Sequence, residues 1–277
     1  MLLSSLLGAI NGAITKYLGH HDIPALEIVF LRNLGGIILI LLMLKHTPTK
    51  IDTSKLHLLF QRGLFGFIAM FLFFYTITII PLGTAITLNK TSPIFVALLA
   101  FLVLKQKISV IARFAVVLGF LGVVFIFKPN SFEFGLPYML GIIGGFFAAA
   151  AYVTIGKIKD IYDSRVIVLS FMTVGTLLPL VMFLLEPYLK LSFLKFVPIT
   201  NPKIFIMIAF LAITATISQW ALTKAYSSPN LTLIGTVSYS IIPFAIIFGV
   251  FLGDNLPDIW TFLGIIMIVI AGILAKR

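Results

Sequence analysis

Two cations sit where a membrane-buried chain should hold none. Arg32 and Lys90 each fall about eight residues into an apolar run, so at about 1.5 Å of rise per helical residue each lies near 12 Å deep. A charge at that depth costs at least about 2.5–3.5 kcal/mol on insertion scales, so it needs a partner or a wet chamber. Either the two residues hold helices together through salt bridges or capped carbonyls, or they contact a substrate. Lys90 gives the sharper expectation, because Thr87-Leu88-Asn89-Lys90-Thr91-Ser92-Pro93 is a polar patch ending in a proline, which removes a backbone donor and frees a carbonyl. Asn89 and Lys90 are therefore expected to face a cavity.

The remaining polar groups are softer. Gln219, Trp220 and Tyr239, with Tyr75 and Tyr152, offer neutral hydrogen bonds and π faces and are candidate cavity-lining residues. Aromatic groups near helix ends also form interfacial belts, which is the competing reading of Trp220 and Tyr239. Glu27 is the carboxylate that falls clearly within a span. It lies five residues from Arg32, about 140° away around a helix at 100° per residue, so the two do not share a face. Pairing with Lys16 or Lys90, simple interfacial solvation, and service as a coupling proton site are its three open readings.

The elements that must position these groups follow from composition. Hydrophobic residues make up 60% of the 277-residue chain and charged residues 10%, and the mean hydropathy is +1.16, far from the mix of a soluble domain. Runs such as 64–80 and 204–221 approach the roughly twenty residues that cross a bilayer as helix. They are unbroken, not alternating, which excludes a barrel and makes the fold all-α. Helices are expected at 2–18, 24–44, 58–80, 82–104, 110–127, 136–156, 165–186, 202–226, 231–253 and 258–275. Met1 leads into the first run without a basic leader, so that run is read as a retained helix.

Ten spans put both termini on one face. Thirteen lysines and arginines, with Arg62 counted among them, then fall at the face of the termini and five at the other, a bias that places both termini in the cytoplasm. The net charge of +11 thus serves orientation in the lipid bilayer and not nucleic-acid binding. With no cysteine and no histidine or carboxylate cluster, neither a metal nor a cofactor is expected. The histidines fall in or beside loops and no long loop could hold a head group, which counts against an enzyme.

The chain also resembles itself. Segment 73–81 is similar to 221–229, Pro93 matches Pro243 as a helix kink, Gly122 matches Gly272, and Lys16 matches Lys157. An odd number of helices per repeat turns the second copy upside down, the inverted-repeat plan of transporters. The expected halves are 1–127 and 136–277, joined through 128–135. Gly8 with Gly12, Gly141 with Gly145 and Gly249 with Gly253 have the small-xxx-small spacing of close helix crossings.

Several stretches carry a family resemblance. These are Pro24 to Arg32, Tyr75 to Pro93 with Leu82-Gly83-Thr84-Ala85 and Thr91-Ser92-Pro93-Ile94, Gly122-Val123-Val124, and Gln219 to Tyr239. Across essentially its whole length the chain resembles the drug/metabolite transporter superfamily, in its EamA-like branch of ten helices in two repeats. The family often carries an acidic residue at the end of helix four, where this chain reads Leu104-Lys105-Gln106-Lys107, while the second half keeps Gly253-Asp254-Asn255. The resemblance implies a secondary transporter in a bacterial inner membrane, working by alternating access. Deep cations favour an amino acid or organic anion-like metabolite as substrate. Export of cationic or amphipathic drugs is the alternative, and it would want a carboxylate facing the drug.

Overall fold

A computed structural model describes residues 1–49, 52–102, 110–127, 135–191, 194–226 and 237–274. All regular structure among them is helical. In chain order the helices are α1 (Leu2–Gly19), α2 (Ala25–His46), α3 (Leu56–Ile79), α4 (Leu82–Asn89), α5 (Ser92–Leu102), α6 (Val110–Phe127), α7 (Leu136–Ile158), α8 (Ser164–Leu189), α9 (Pro202–Tyr226), α10 (Ile241–Phe251) and α11 (Ile259–Leu274). The helices α2, α3, α7, α8 and α9 are each long and apolar enough to cross a membrane, and α10 and α11 are shorter apolar helices. Large apolar side chains such as Phe205, Ile206, Phe251 and Leu184 point away from the bundle, as lipid-facing residues do. The chain is an integral membrane protein.

Several expectations lie outside the described residues: the start of helix nine at 231–236, nearly all of the 128–135 connection, the Leu104–Lys107 stretch, Ser227–Pro229, Lys50, Lys128, Lys276 and Arg277.

The expected helix 82–104 is two helices, α4 and α5, parted at Lys90 and Thr91. Pro93 cannot donate a hydrogen bond to Asn89, so the ladder fails there. The chain bridges the gap with the Thr91 N–H and hydroxyl, which donate to the Leu88 carbonyl at 3.1 and 2.7 Å. Ahead of Pro243 the chain does the same. The Ser240 N–H and hydroxyl donate to the Val237 carbonyl at 3.1 and 2.7 Å just before α10. The two breaks meet: the Tyr239 hydroxyl donates to the Lys90 carbonyl at 3.3 Å.

Packing runs mainly between the two halves of the chain. The helix pairs α2 with α8, α4 with α10 and α6 with α11 are in contact, as are α3 with α7 and α1 with α9. The crossing of α6 and α11 is the tightest. A Cβ on Gly122 would sit 2.8 Å from the Gly264 carbonyl oxygen, and one on Gly264 would sit 2.6 Å from that of Gly122. Backbone cannot yield as a side-chain tip can, so Gly122→Ala forces the helices apart. We expect it to cost about 1–3 kcal/mol, the range for overpacked sites, read as a lowered unfolding midpoint in detergent. Gly122→Ala with a wild-type midpoint overturns this.

Helix entry uses ordinary chemistry at α8. Asp163 caps it, accepting the Arg165 N–H at 2.8 Å, and the hydrogen bonds from the Arg165 side chain hold its carboxyl below the ordinary aspartate range.

Candidate functional site

Between the halves lies a cavity of about 160 Å³. Its wall begins at Met1, Ser4 and Ser5 and reaches the α4–α5 break, so it occupies the end of the bundle that carries the N-terminus. Arg32, Lys90, Asn89, Tyr152 and Gln219 all line it. So does Arg62, which charge counting places at the face of the termini. No aspartate or glutamate is among the lining residues described.

Arg62 is the main addition. It stands about two turns into α3 and is 1% exposed, with its guanidinium carbon 4.9 Å from the centre of the Phe171 ring on α8. Arg32, 5% exposed, approaches the rings of Phe171 and Phe74 at 5.8 Å each. It also donates to Asn33 Oδ1 at 3.2 Å and to the Met70 sulfur. Asn33 is itself held by donating to the Gly175 carbonyl at 3.1 Å. The signal for Arg62 was present as a helix face: Arg62, Gly66, Ala69, Met70 and Phe73 recur at three- and four-residue steps, and all line the cavity.

Neutral hydrogen bonds fasten the α1 wall to α9. Ser4 and Ser218 donate to each other's carbonyls at 2.9 and 3.0 Å, and Thr214 donates to Asn11 Oδ1 at 2.7 Å. The Tyr152 ring stacks on Tyr226 with centroids 4.7 Å apart.

Four expected residues stand elsewhere. Tyr75 packs half-buried against the hydrophobic core, because it is two residues and therefore about 200° around α3 from Phe73 on the cavity face. Trp220 turns about 100° from Gln219 and lines an open depression with Arg165, Asp163 and Lys224, whose Nζ lies 5.2 Å from its ring centre. Tyr239 sits behind the break on Lys90, filling the space left by Gly272, where a Cβ would fall 1.4 Å from its hydroxyl. Glu27 is fully buried, not solvated at an interface; one oxygen accepts the Val197 N–H at 2.8 Å and the other has no hydrogen-bond partner. It does not line the cavity. Pro93 and Pro243 stand in the first turns of α5 and α10, each just past a break.

Beyond the cavity, toward the other end of α1, stands an ion pair. Lys16 Nζ lies 2.6 Å from Asp254 Oδ1 and donates to the Ile80 carbonyl at 3.0 Å. Asp254 also accepts the Leu82 N–H at 2.8 Å, capping the start of α4, where orphan donors favour an anion. Its neighbour Gly253 has φ of 92°, a conformation that favours glycine, and it turns the chain back at the end of α10. One buried pair thus ties α1, the turn before α4 and the loop after α10.

Residues 1–128 match the EamA-like transporter family model. A transporter of Helicobacter pylori is 32% identical over 99% of this chain and 92% of its own. The chain belongs to the EamA-like transporter family. This EamA-like protein is also 28% identical to the pseudopaline exporter CntI of Pseudomonas aeruginosa, over 100% of the chain and 94% of the relative. To the S-adenosylmethionine uptake transporter of Rickettsia conorii it is 24% identical, over 97% and 88%. One solved crystal structure shares the fold with a TM-score of 0.64 at 16% identity, over 99% and 96% of the two chains. The family is one of transporters, and the relatives move small molecules.

Proposed function

We propose that this protein is a secondary transporter that carries a small polar metabolite bearing an anionic group through the central cavity by alternating access. It does so in a bacterial inner membrane with both termini cytoplasmic. The observation that carries the reading is the lining: Arg32, Arg62 and Lys90, with no acidic side chain among the described lining residues. The guanidiniums of Arg32 and Arg62 repel each other across Phe171, an anion in the cavity relieves that repulsion, and the low dielectric of the bundle strengthens both effects.

The alternating-access part is supported by the halves, 1–127 and 136–277. Helices at equivalent positions pair across them, α2 with α8 and α6 with α11, and the contacts of α3 with α7 and of α1 with α9 exchange into each other, which a two-fold axis in the membrane plane would produce. The matched hydrogen bonds at the two breaks support the same axis. Glu27, buried with one oxygen free of hydrogen bonds, is the candidate to carry a coupling proton.

One relative exports and another takes up its substrate, so direction is set by gradients and coupling in this reading. The test is uptake into proteoliposomes of purified protein against a panel of carboxylates, zwitterions and organic cations. Counterflow of carboxylates or zwitterions is the expected result. Transport of cations alone overturns the substrate class and favours drug export.

A further inference from the structure

Arg62 and Arg32 present donors that no described residue uses. Arg62 Nε and Nη1 and Arg32 Nε are buried without a hydrogen-bond partner, and both guanidiniums lie against the same Phe171 ring. A buried, unpaired donor on a charged group is among the costliest features a fold can keep. Phe171 answers only the faces of the guanidiniums, through cation–π contact; the edge donors need acceptors in their own plane. Both side chains line the cavity, and no carboxylate lines it with them.

The geometry points to a carboxylate clamp: Arg62, backed by Phe171 and joined by Arg32, takes the substrate's carboxylate at the end of its guanidinium, where the unpartnered Nη1 stands beside Nη2. A planar, two-oxygen acceptor matches that fork, whereas a spherical halide or a quaternary ammonium does not. This rests on the transport reading above and names the end of the substrate that the two arginines hold.

Gly66 makes the clamp testable without touching either arginine. It lies one turn beyond Arg62, and a Cβ there would come 2.1 Å from Arg62 Nη1 and 2.7 Å from the Phe171 ring. Alanine in its place favours helix over glycine, so α3 is not weakened intrinsically. The guanidinium tip must move instead, which makes Gly66 a positioning residue for Arg62.

The experiment follows the thermal unfolding midpoint of the detergent-purified full chain during titration with succinate, glutamate or benzoate, with chloride and choline as counter-probes. Carboxylates are expected to raise the wild-type midpoint, and chloride and choline are not. Arg62→Lys keeps the charge and loses the fork, so the half-saturating carboxylate concentration should rise about tenfold or more. Gly66→Ala should weaken binding similarly, its half-saturating concentration being compared with its own ligand-free midpoint, which records the separate packing cost of the Cβ against the Phe171 ring. Wild-type response in both variants overturns the clamp and leaves the transport reading standing. The clamp also falls if no carboxylate shifts the wild type. If choline shifts it while the proteoliposomes carry only cations, both readings fall together.

Discussion

Lys16→Ala should open the end of the bundle beyond the cavity. Removing one member of a mostly buried ion pair costs up to about 3–5 kcal/mol, because the survivor keeps its charge without its counter-ion. Here the survivor is Asp254, and the lost bonds run from α1 to the loop after α10 and the Ile80 carbonyl. These are the groups that must separate if the cavity is to face the other side. Because the chain has no cysteine, Ile86→Cys gives a single reporter thiol at a position that is 1% exposed and lines the cavity.

A membrane-impermeant maleimide applied from the Lys16 side should label Ile86→Cys slowly in the otherwise wild-type protein. In Lys16→Ala labelling should be at least about tenfold faster, since about 1.4 kcal/mol of the lost energy already shifts a two-state equilibrium tenfold. Exchanging the pair, Lys16→Asp with Asp254→Lys, should recover much of the protection but not all, because a lysine cannot accept the Leu82 N–H. Equal labelling of all three proteins would show that the ion pair is static glue.

Lys90→Ala should abolish most transport while the fold survives. Backbone hydrogen bonds at the break, the Thr91 hydroxyl on the Leu88 carbonyl and the Tyr239 hydroxyl on the Lys90 carbonyl all remain in Lys90→Ala. A hydrogen bond to a charged group is worth about 1.5–3 kcal/mol, which predicts a loss of about 10–100-fold in uptake kcat/KM. Lys90→Arg keeps the charge and should recover part of it. Wild-type uptake by Lys90→Ala in proteoliposomes would remove Lys90 from the substrate path.

The contrast between Lys90 and Arg62 shows what could be read early. Lys90 announces itself through a proline three residues on and polar neighbours on both sides, local signals that survive in any fold. Arg62 lies close to a helix end, where positive charge is normal, and only its shared face with Gly66, Met70 and Phe73 marks it as inward-facing. Glu27 is the reverse case. Its position near a helix end reads as shallow, yet the chain after α8 folds over it and Val197 donates to it.

Sequence by itself determined the solvent, the helices and where proline disturbs them, while the full break between α4 and α5 came with the structure. Apolar runs of bilayer length can satisfy their backbone only as helices, and Pro93 interrupts the ladder wherever its helix lies. Only the tertiary structure decided which polar groups meet. Lys16 finds Asp254 across most of the chain, Arg62 and Arg32 meet over Phe171, and Trp220 turns away from its neighbour Gln219. Facing is set by how helices rotate and cross, and that depends on close contacts such as Gly122 against Gly264, whose partners no local pattern names.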